Sequence, residues 1–371
     1  MMGRIGRHTG VLFGFCAVTF ILALIASGMF VGGVLPSSDA SAPTTQDWGV
    51  ADHDYWKVRV EKVGGVKAFS ELADTIATED PLFQHSKAHG FGGLLYETEG
   101  LSGFAACDMR FSMGCFHEFL GKAIASEGKK VVSQLVAECD KLPTDVSKSG
   151  CRHGVGHGIQ AWLGYDPKNL LEGLVICKSA MSVFGDPFGG CSSGLYMEYN
   201  LRIMLGIEAP FRQVDNDNYL APCDIVPKDA LPICIFWLPQ WWASLLHSKH
   251  AFGEGDPQSN YLADYKEVGR LCRSLNLSRE LEDSCFQGVG ATVSGAGDSL
   301  EYVIEACTGA SENMREQVLC RGFIAAVYAS EKKPNTDKIC EGFTGSAFEY
   351  CNTYATGKAD FLNMISVPKG L

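Results

Sequence analysis

Cysteine pairing constrains this chain more than any other feature of its sequence. Of its fifteen cysteines, Cys16 stands alone near the start and the others form seven successive close pairs. The pairs are Cys107 with Cys115, Cys139 with Cys151, Cys177 with Cys191, Cys223 with Cys234, Cys272 with Cys285, Cys307 with Cys320, and Cys340 with Cys351. An even number of cysteines suits a disulfide framework, which persists in oxidising compartments. The pattern predicts an exported protein with one bridge inside each pair, and bridges between pairs are the alternative.

The sequence around the pairs also repeats. The first cysteine usually ends an apolar segment and the second opens another, as in residues 174–177 and 191–194. Successive second cysteines are 36, 40, 43, 51, 35 and 31 residues apart, within or near the range of helical repeats. We therefore predict an all-α fold over residues 65–371, an αα-hairpin repeat array (α-solenoid). Each disulfide would tie the end of a helix A to the start of a helix B, and ordinary loops are the alternative.

Three glycines support the helix-pair interpretation. Gly154, Gly194 and Gly288 each follow a second cysteine by three residues. That position lies about 300° round an ideal helix, close to the face that the cysteine presents to helix A. The missing side chains are predicted to let helix A and helix B approach closely, as a disulfide requires.

An uncharged apolar run precedes the repeats. Residues 11–34 carry no charged side chain, and Arg4 and Arg7 precede them. A run of this length crosses a bilayer of about 30 Å as one helix. The flanking arginines predict a cytoplasmic N-terminus at residues 1–10 and an exported remainder. The sequence thus predicts a transmembrane signal anchor in a single-pass membrane protein.

The segment after the apolar run gives the alternative and the remaining boundaries. A cleaved signal peptide is the other possibility, because residues 40–42 read Ala-Ser-Ala, like a cleavage site. Residues 35–64 are predicted to be a stalk and entry segment. Residues 65–97 resemble a first repeat unit without cysteines, and terminal units of arrays are often atypical.

Five histidines occupy matching positions in the first three units. They are His85, His89, His117, His153 and His157. His117 and His153 follow the second cysteine of their unit by two residues, and His157 follows it by six. His85 and His89 take the same two places in the cysteine-free first unit. These places lie about 200° and 240° round a helix, so they share a face away from the disulfide. Two histidines four residues apart are a known way for one helix to offer two metal ligands. With adjacent helices about 8 to 10 Å apart, the imidazoles are predicted to converge on a transition metal ion, Zn, Cu or Fe.

Four other polar residues are candidate additions to this histidine cluster. Glu118 and Glu198 are candidate ligands or general bases, with hydrogen-bonded structural carboxylates as the alternative. His247 and His250 are three residues apart in the longest unit and would extend the cluster, unless they lie on a solvated loop. Helix dipoles are predicted to keep first-turn histidines neutral.

The composition and the motifs limit the function further. A formal net charge of −12 disfavours nucleic acid as a partner. Nucleotide-binding loops, a hydrolase elbow and haem attachment motifs are absent from the sequence. The sequence therefore favours an exported, membrane-anchored metal-binding protein, with a metal-dependent enzyme as one form of it.

The alternative is a protein without enzymatic activity. A repeat array offers a concave groove in which a protein partner can bind, as in an interaction scaffold or an assembly factor for a membrane complex. Trp237, Trp241 and Trp242 are the candidate anchors for such a partner, because tryptophan is enriched in binding hot spots.

Overall fold

Helices are the regular structure of this chain wherever it is described. The computed structural model describes residues 48–181, 190–204, 218–250, 257–296, 299–330 and 332–358. Over these ranges it contains fourteen α-helices, four 3-10 segments and no β-strand. The α-helices are α1 (Val50–Val63), α2 (Gly65–Ile76), α3 (Pro81–Glu99), α4 (Gly114–Glu127), α5 (Val132–Cys139), α6 (Asp145–Leu163), α7 (Pro167–Ala180), α8 (Cys191–Met204), α9 (Leu231–His250), α10 (Pro257–Ser274), α11 (Arg279–Ala296), α12 (Leu300–Ala310), α13 (Met314–Ser330) and α14 (Gly345–Ala355). The all-α prediction is confirmed for this part of the chain.

Eight of the helices form a row in chain order. They are α3, α4, α6, α8, α9, α11, α13 and α14, and each packs against the next. The helices between them flank the row, with α5 against α6, α7 against α8, α10 against α11 and α12 against α13. The described residues belong to one unit that spans Ser41–Leu371. Repeated helix pairing is therefore present, and the solenoid as an overall architecture stays a prediction.

All seven cysteine pairs are disulfides inside their own units, as predicted. The bridges join Cys107 to Cys115, Cys139 to Cys151, Cys177 to Cys191, Cys223 to Cys234, Cys272 to Cys285, Cys307 to Cys320, and Cys340 to Cys351. The alternative of bridges between units is thus wrong. Such a set of bridges indicates an oxidising extracellular or secretory environment.

The second cysteines do not all lie at the start of a helix B, which corrects the predicted boundaries. Cys234, Cys285 and Cys320 lie inside α9, α11 and α13, three, six and six residues after the first residue of each helix. Cys151 likewise lies six residues after the start of α6. The bridges therefore attach within the first two turns of these helices. Each of these helices starts inside the polar loop that was predicted to separate helix A from helix B.

Capping residues explain the early starts. Thr144, just before α6, accepts a hydrogen bond from the Ser147 amide at 3.1 Å. Asn313, just before α13, accepts one from the Arg315 amide at 2.9 Å. These side chains satisfy amides that have no partner within the helix, so the helix can begin before its cysteine.

The first cysteine of the fourth pair departs from the helix-pair pattern in another way. Cys223 lies in a series of turns instead of at the end of a helix A. Its neighbour Pro222 lacks the amide hydrogen that a helix interior requires. The predicted helix A is therefore not formed by the residues that lead directly to Cys223.

The glycines allow close approach, but to a different neighbour from the one predicted. A Cβ built on Gly194 would lie 1.9 Å from the carbonyl oxygen of His153, and one on Gly288 would lie 2.0 Å from that of Phe236. Both carbonyls belong to the preceding helix of the row, not to helix A. Gly154 likewise faces α4. The prediction of a contact with helix A is wrong, because the +3 position is rotated by about 60° from the cysteine, toward the adjacent row helix.

In the described residues, no helix is both long enough and apolar enough to cross a membrane. The anchor predicted at 11–34 lies outside those residues. Part of the predicted entry segment is helical, since α1 covers Val50–Val63 and buries Trp56 and Val60. The first repeat unit, predicted from residue 65, starts where α2 starts.

Candidate metal centre

The five histidines come together on three consecutive helices of the row. His85 and His89 lie on α3, His117 on α4, and His153 and His157 on α6. They form two groups whose ligand nitrogens lie within 4.8 Å of one another. We call His85, His89 and His117 the outer triad, and His117, His153 and His157 the inner triad. The predicted convergence of imidazoles from adjacent helices is thus present in the structure.

The outer triad has one histidine fixed by the backbone. His85 donates from Nδ1 to the carbonyl oxygen of Phe111 at 2.7 Å, which leaves Nε2 with its lone pair. His89 Nε2 lies 3.0 Å from His85 Nε2 and 3.2 Å from His117 Nδ1. Nitrogens bound at about 2.0 to 2.1 Å to one tetrahedral ion lie about 3.3 Å apart. The spacing is therefore close to that of a three-histidine metal site.

The inner triad has a histidine oriented by a carboxylate. His157 donates from Nδ1 to Glu198 Oε2 at 2.8 Å, and Glu198 accepts a second hydrogen bond from the Tyr165 hydroxyl. His157 Nε2 then carries a lone pair and lies 3.0 Å from His153 Nε2. This carboxylate and histidine arrangement is the usual outer shell of a histidine metal ligand. Glu198 is thus a hydrogen-bonded carboxylate behind a ligand, which was the alternative to direct coordination.

His117 belongs to both triads. Its Nδ1 faces His89, while its Nε2 is buried and has no hydrogen-bond partner. Nδ1 of His153 is also buried without a partner. Buried polar atoms are nearly always paired, and leaving one unpaired costs about 1 to 3 kcal/mol. Two such nitrogens in one cluster are therefore a sign that the cluster binds something.

Burial favours the neutral form of three rings of the cluster, those of His89, His117 and His153. It lowers the pKa of His117 and His153 well below the ordinary value, and neighbouring imidazoles lower both further. Burial also lowers the pKa of His89 to about 3, with His85 and His157 adding to the effect. Neutral imidazole is the form that binds metal. The predicted cause, a helix dipole at a first turn, is wrong for His153, which lies more than two turns inside α6.

The other polar candidates lie outside the triads. Glu118 Oε2 is 4.0 Å from His89 Nδ1, and about two fifths of its side chain is exposed (42%). His247 donates from Nδ1 to Asp264 at 2.7 Å and stacks against Tyr261, in a separate place. The side chain of His250 is outside the described residues. An extension of the cluster by His247 is therefore not observed.

The tryptophans predicted to be partner anchors are core residues. Trp237, Trp241 and Trp242 are 8%, 1% and 2% exposed. Trp237 donates to Ser193 Oγ at 3.0 Å, and its ring lies 6.2 Å from that of His153. Packing between row helices removes all three side chains from solvent. The prediction that they grip a partner is wrong for this reason.

Sequence reasoning missed two groups that hold the cluster in place. The carbonyl of Phe111 is a backbone acceptor, and no pattern of side chains in the sequence predicts its position. Tyr165 follows α6 after Gly164 and reaches Glu198 only through the packing of α6 on α8. A search for tyrosines near the end of each histidine helix would have included it among several candidates.

Fold and site together define an all-α, disulfide-stapled protein with two histidine triads of metal-binding geometry. Comparisons with protein families, with curated proteins and with solved structures find no match to this chain.

Proposed function

We propose that this chain is an exported transition-metal-binding protein that holds two ions, one in each triad. The observation that carries the proposal is the membership of His117 in both triads. A ring that binds two ions gives up its remaining N–H proton to solvent, and the two positive ions stabilise the resulting anion. Such a bridge couples the two sites.

The outer shell of the cluster supports this function. His85 and His157 each use Nδ1 to donate a hydrogen bond, to a carbonyl and to a carboxylate respectively. Each therefore presents Nε2 to its triad, with its ring orientation fixed before any ion arrives. A set of histidines that only filled space between helices would not need this common tautomer.

The ligand set limits the identity and the role of the ions. Imidazole nitrogens suit Zn, Cu and Fe, and three protein ligands leave a coordination position open. Open positions are typical of catalytic sites, whereas structural sites are closed by a fourth protein ligand. A metal-dependent enzyme is therefore the form of the proposal that the ligand count favours.

Metal stoichiometry tests the proposal. The full-length protein would be produced in an oxidising compartment, purified without added ions and analysed for metal, then stripped and titrated with Co(II). We expect two equivalents for the wild type and one for His157→Ala or His89→Ala. His117→Ala should lower the affinity of both sites. His53→Ala is the matched control, since His53 contacts Glu97 and Asp54 and belongs to neither triad.

The outcomes separate clearly. A folded wild-type protein that contains well under one equivalent of metal and binds no Co(II) would overturn the proposal. If His117→Ala keeps two sites of full affinity, His117 does not bridge the ions, and the protein has two separate sites.

We also propose that the apolar run at residues 11–34 anchors the exported domain in a membrane. Support comes from the uncharged length of the run, the preceding arginines and the seven disulfides of the domain that follows. The protein should stay in the membrane pellet after extraction with alkaline carbonate. Release into the supernatant, with a new N-terminus after residue 42, would favour the cleaved signal peptide. We further propose that the helix pairs form a solenoid and that the protein does not bind nucleic acid.

A further inference from the structure

A cavity lies next to the inner triad. Its volume is about 220 Å³, and its wall is formed largely by apolar residues. The wall includes Met109, Met113, Met197, His153 and Trp237. The cavity is therefore a mostly apolar space lined by three methionines and one histidine.

His153 supplies the polar part of the wall. The residue is 7% exposed, and its Nδ1 is buried without a hydrogen-bond partner. In the metal-free protein His157 donates from Nδ1 to Glu198, so His157 Nε2 must accept the proton of His153 Nε2 across 3.0 Å. The same ring then carries a lone pair on Nδ1. His153 thus offers a neutral nitrogen ligand that no protein donor satisfies.

Two of the methionines are positioned by a disulfide-closed loop. Met109 and Met113 lie between Cys107 and Cys115, which are bonded to each other. Residues 111–113 all have positive φ, a strained conformation for residues other than glycine, which persists where the surroundings impose it. A Cβ on Gly150 would lie 2.1 Å from the sulfur of Met113, so the glycine leaves room for that sulfur beside α6.

The third methionine takes a histidine position of the repeat. Met197 follows Cys191 by six residues, as His157 follows Cys151. The corresponding position on successive row helices therefore changes from imidazole to thioether at the point where the cavity begins. Methionine commonly fills irregular gaps in cores. Here, however, the three methionines line an open gap, and so does His153, whose Nδ1 has no hydrogen-bond partner.

We propose that this cavity is a Cu(I) site with the thioethers of Met109, Met113 and Met197 and Nδ1 of His153 as ligands. Soft thioether ligands select Cu(I) over the divalent ions that imidazole and carboxylate prefer. A single positive charge is also less costly to place in an apolar wall than a double charge. Flexible methionine side chains let the sulfurs close on the ion. The site shares His153 with the inner triad but uses the opposite ring nitrogen, so it does not depend on the two-ion function.

Cu(I) titration of the metal-free, full-length protein tests the site. Ascorbate would keep copper reduced without breaking the seven disulfides, and bicinchoninate would serve as the competing chelator. The wild type should bind Cu(I) with sulfur in its coordination shell, as seen by X-ray absorption. Met113→Leu combined with Met197→Leu keeps the volume of both side chains. This double variant should lose the sulfur signal and bind Cu(I) more weakly by at least about tenfold, since removing even an outer-shell partner of a ligand costs about 10-fold to 100-fold.

The controls distinguish this site from the triads. Met314→Leu changes a methionine that is 53% exposed at the start of α13, and it should behave as the wild type. Co(II) binding by the triads should be unchanged in all methionine variants. Copper bound only through nitrogen, or equal Cu(I) affinity in the double variant and the wild type, would overturn the Cu(I) site. A wild-type protein that binds no Co(II) but still shows copper with sulfur in its coordination shell would overturn the two-ion function alone.

Discussion

At the scale of single residues, hydrogen bonds outside the triads decide which nitrogen of a histidine faces its triad. His157 is held by Glu198, and Glu198 is held in turn by Tyr165. His85 is held by the Phe111 carbonyl. Without these partners, His85 and His157 would each divide between two tautomers. The supporting groups thus fix the ring orientation of two candidate ligands without belonging to a triad themselves.

Glu198→Gln tests this support. The amide oxygen still accepts from His157 Nδ1, but without the negative charge that makes the imidazole a stronger ligand. We expect the affinity of the inner triad for Co(II) or Zn(II) to fall by about 10-fold to 100-fold, with a smaller decrease at the outer triad, which the shared His117 couples to it. Competition with a chromophoric chelator measures the metal affinity of both triads. Tyr165→Phe should have a smaller effect, and equal losses at both triads would contradict the assignment.

The buried histidines predict how the stability of the metal-free protein depends on pH. Burial lowers the pKa of His117 and His153 in the folded state, so the unfolded chain binds more protons below about pH 6.5. The free energy of unfolding should therefore be highest above that pH and fall as the pH drops toward the folded-state pKa values. Each group contributes at most about 1.4 kcal/mol per pH unit.

Urea unfolding at a series of pH values measures this dependence. We expect a loss of up to about 3 kcal/mol per pH unit from the two groups together, beginning near pH 6.5. His89 should add less, since about a third of its side chain is exposed (34%). The double variant His117→Gln and His153→Gln should flatten the curve. A wild-type midpoint that stays constant between about pH 7.5 and 5 would show that these rings are not buried in the neutral form.

At the scale of elements, the glycines set the distance between row helices. Gly156 of α6 faces the carbonyl of Cys191, and Gly194 of α8 faces the carbonyl of His153. The contact is therefore reciprocal, and it brings α8 close enough for Glu198 to reach His157. Helix spacing and metal site geometry depend on the same small residues.

Gly194→Ala should disturb both properties. The new methyl group would lie 1.9 Å from backbone, which cannot rotate away, so α6 and α8 must separate. We expect a loss of stability of about 1 to 3 kcal/mol, the usual result of overpacking, together with weaker binding at the inner triad. Thermal unfolding and Co(II) titration are the measurements.

Gly121→Ala is the matched control for this substitution. A Cβ there meets nothing within 4 Å, and Gly121 lies inside α4. The alanine should stabilise the protein by about 0.5 to 1 kcal/mol, because it restricts the unfolded chain and favours helix. Equal destabilisation by the two substitutions would argue against the close contact.

At the scale of the whole molecule, two disulfides differ in their relation to the histidine cluster. The loop closed by Cys107 and Cys115 carries the Phe111 carbonyl that holds His85. The bridge between Cys340 and Cys351 joins the 3-10 segment Thr336–Cys340 to α14. Neither of its elements contributes to a triad.

Replacing either pair with serines separates the two roles. The loops span 8 and 11 residues, so the chain-entropy model predicts a similar loss of about 2 to 3 kcal/mol for each. Only Cys107→Ser with Cys115→Ser should also weaken the outer triad, by freeing the Phe111 carbonyl. Unfolding measurements and metal titration of both double variants test this. Unchanged metal affinity in the first variant would show that the loop holds its shape without the bridge.

The sequence alone was enough to predict the helical class, the pairing of cysteines within units and the five clustered histidines. These follow from local periodicity, because a cysteine pair 8 to 14 residues apart and histidines at fixed offsets report on one helix and its neighbour. The structure added what depends on the rotation and spacing of helices that are distant in sequence. It assigned the glycines to contacts between row helices, buried the three tryptophans of α9, and placed Glu198 behind His157. It also decided that His117 is shared, since which way an imidazole faces depends on side chains from three helices at once.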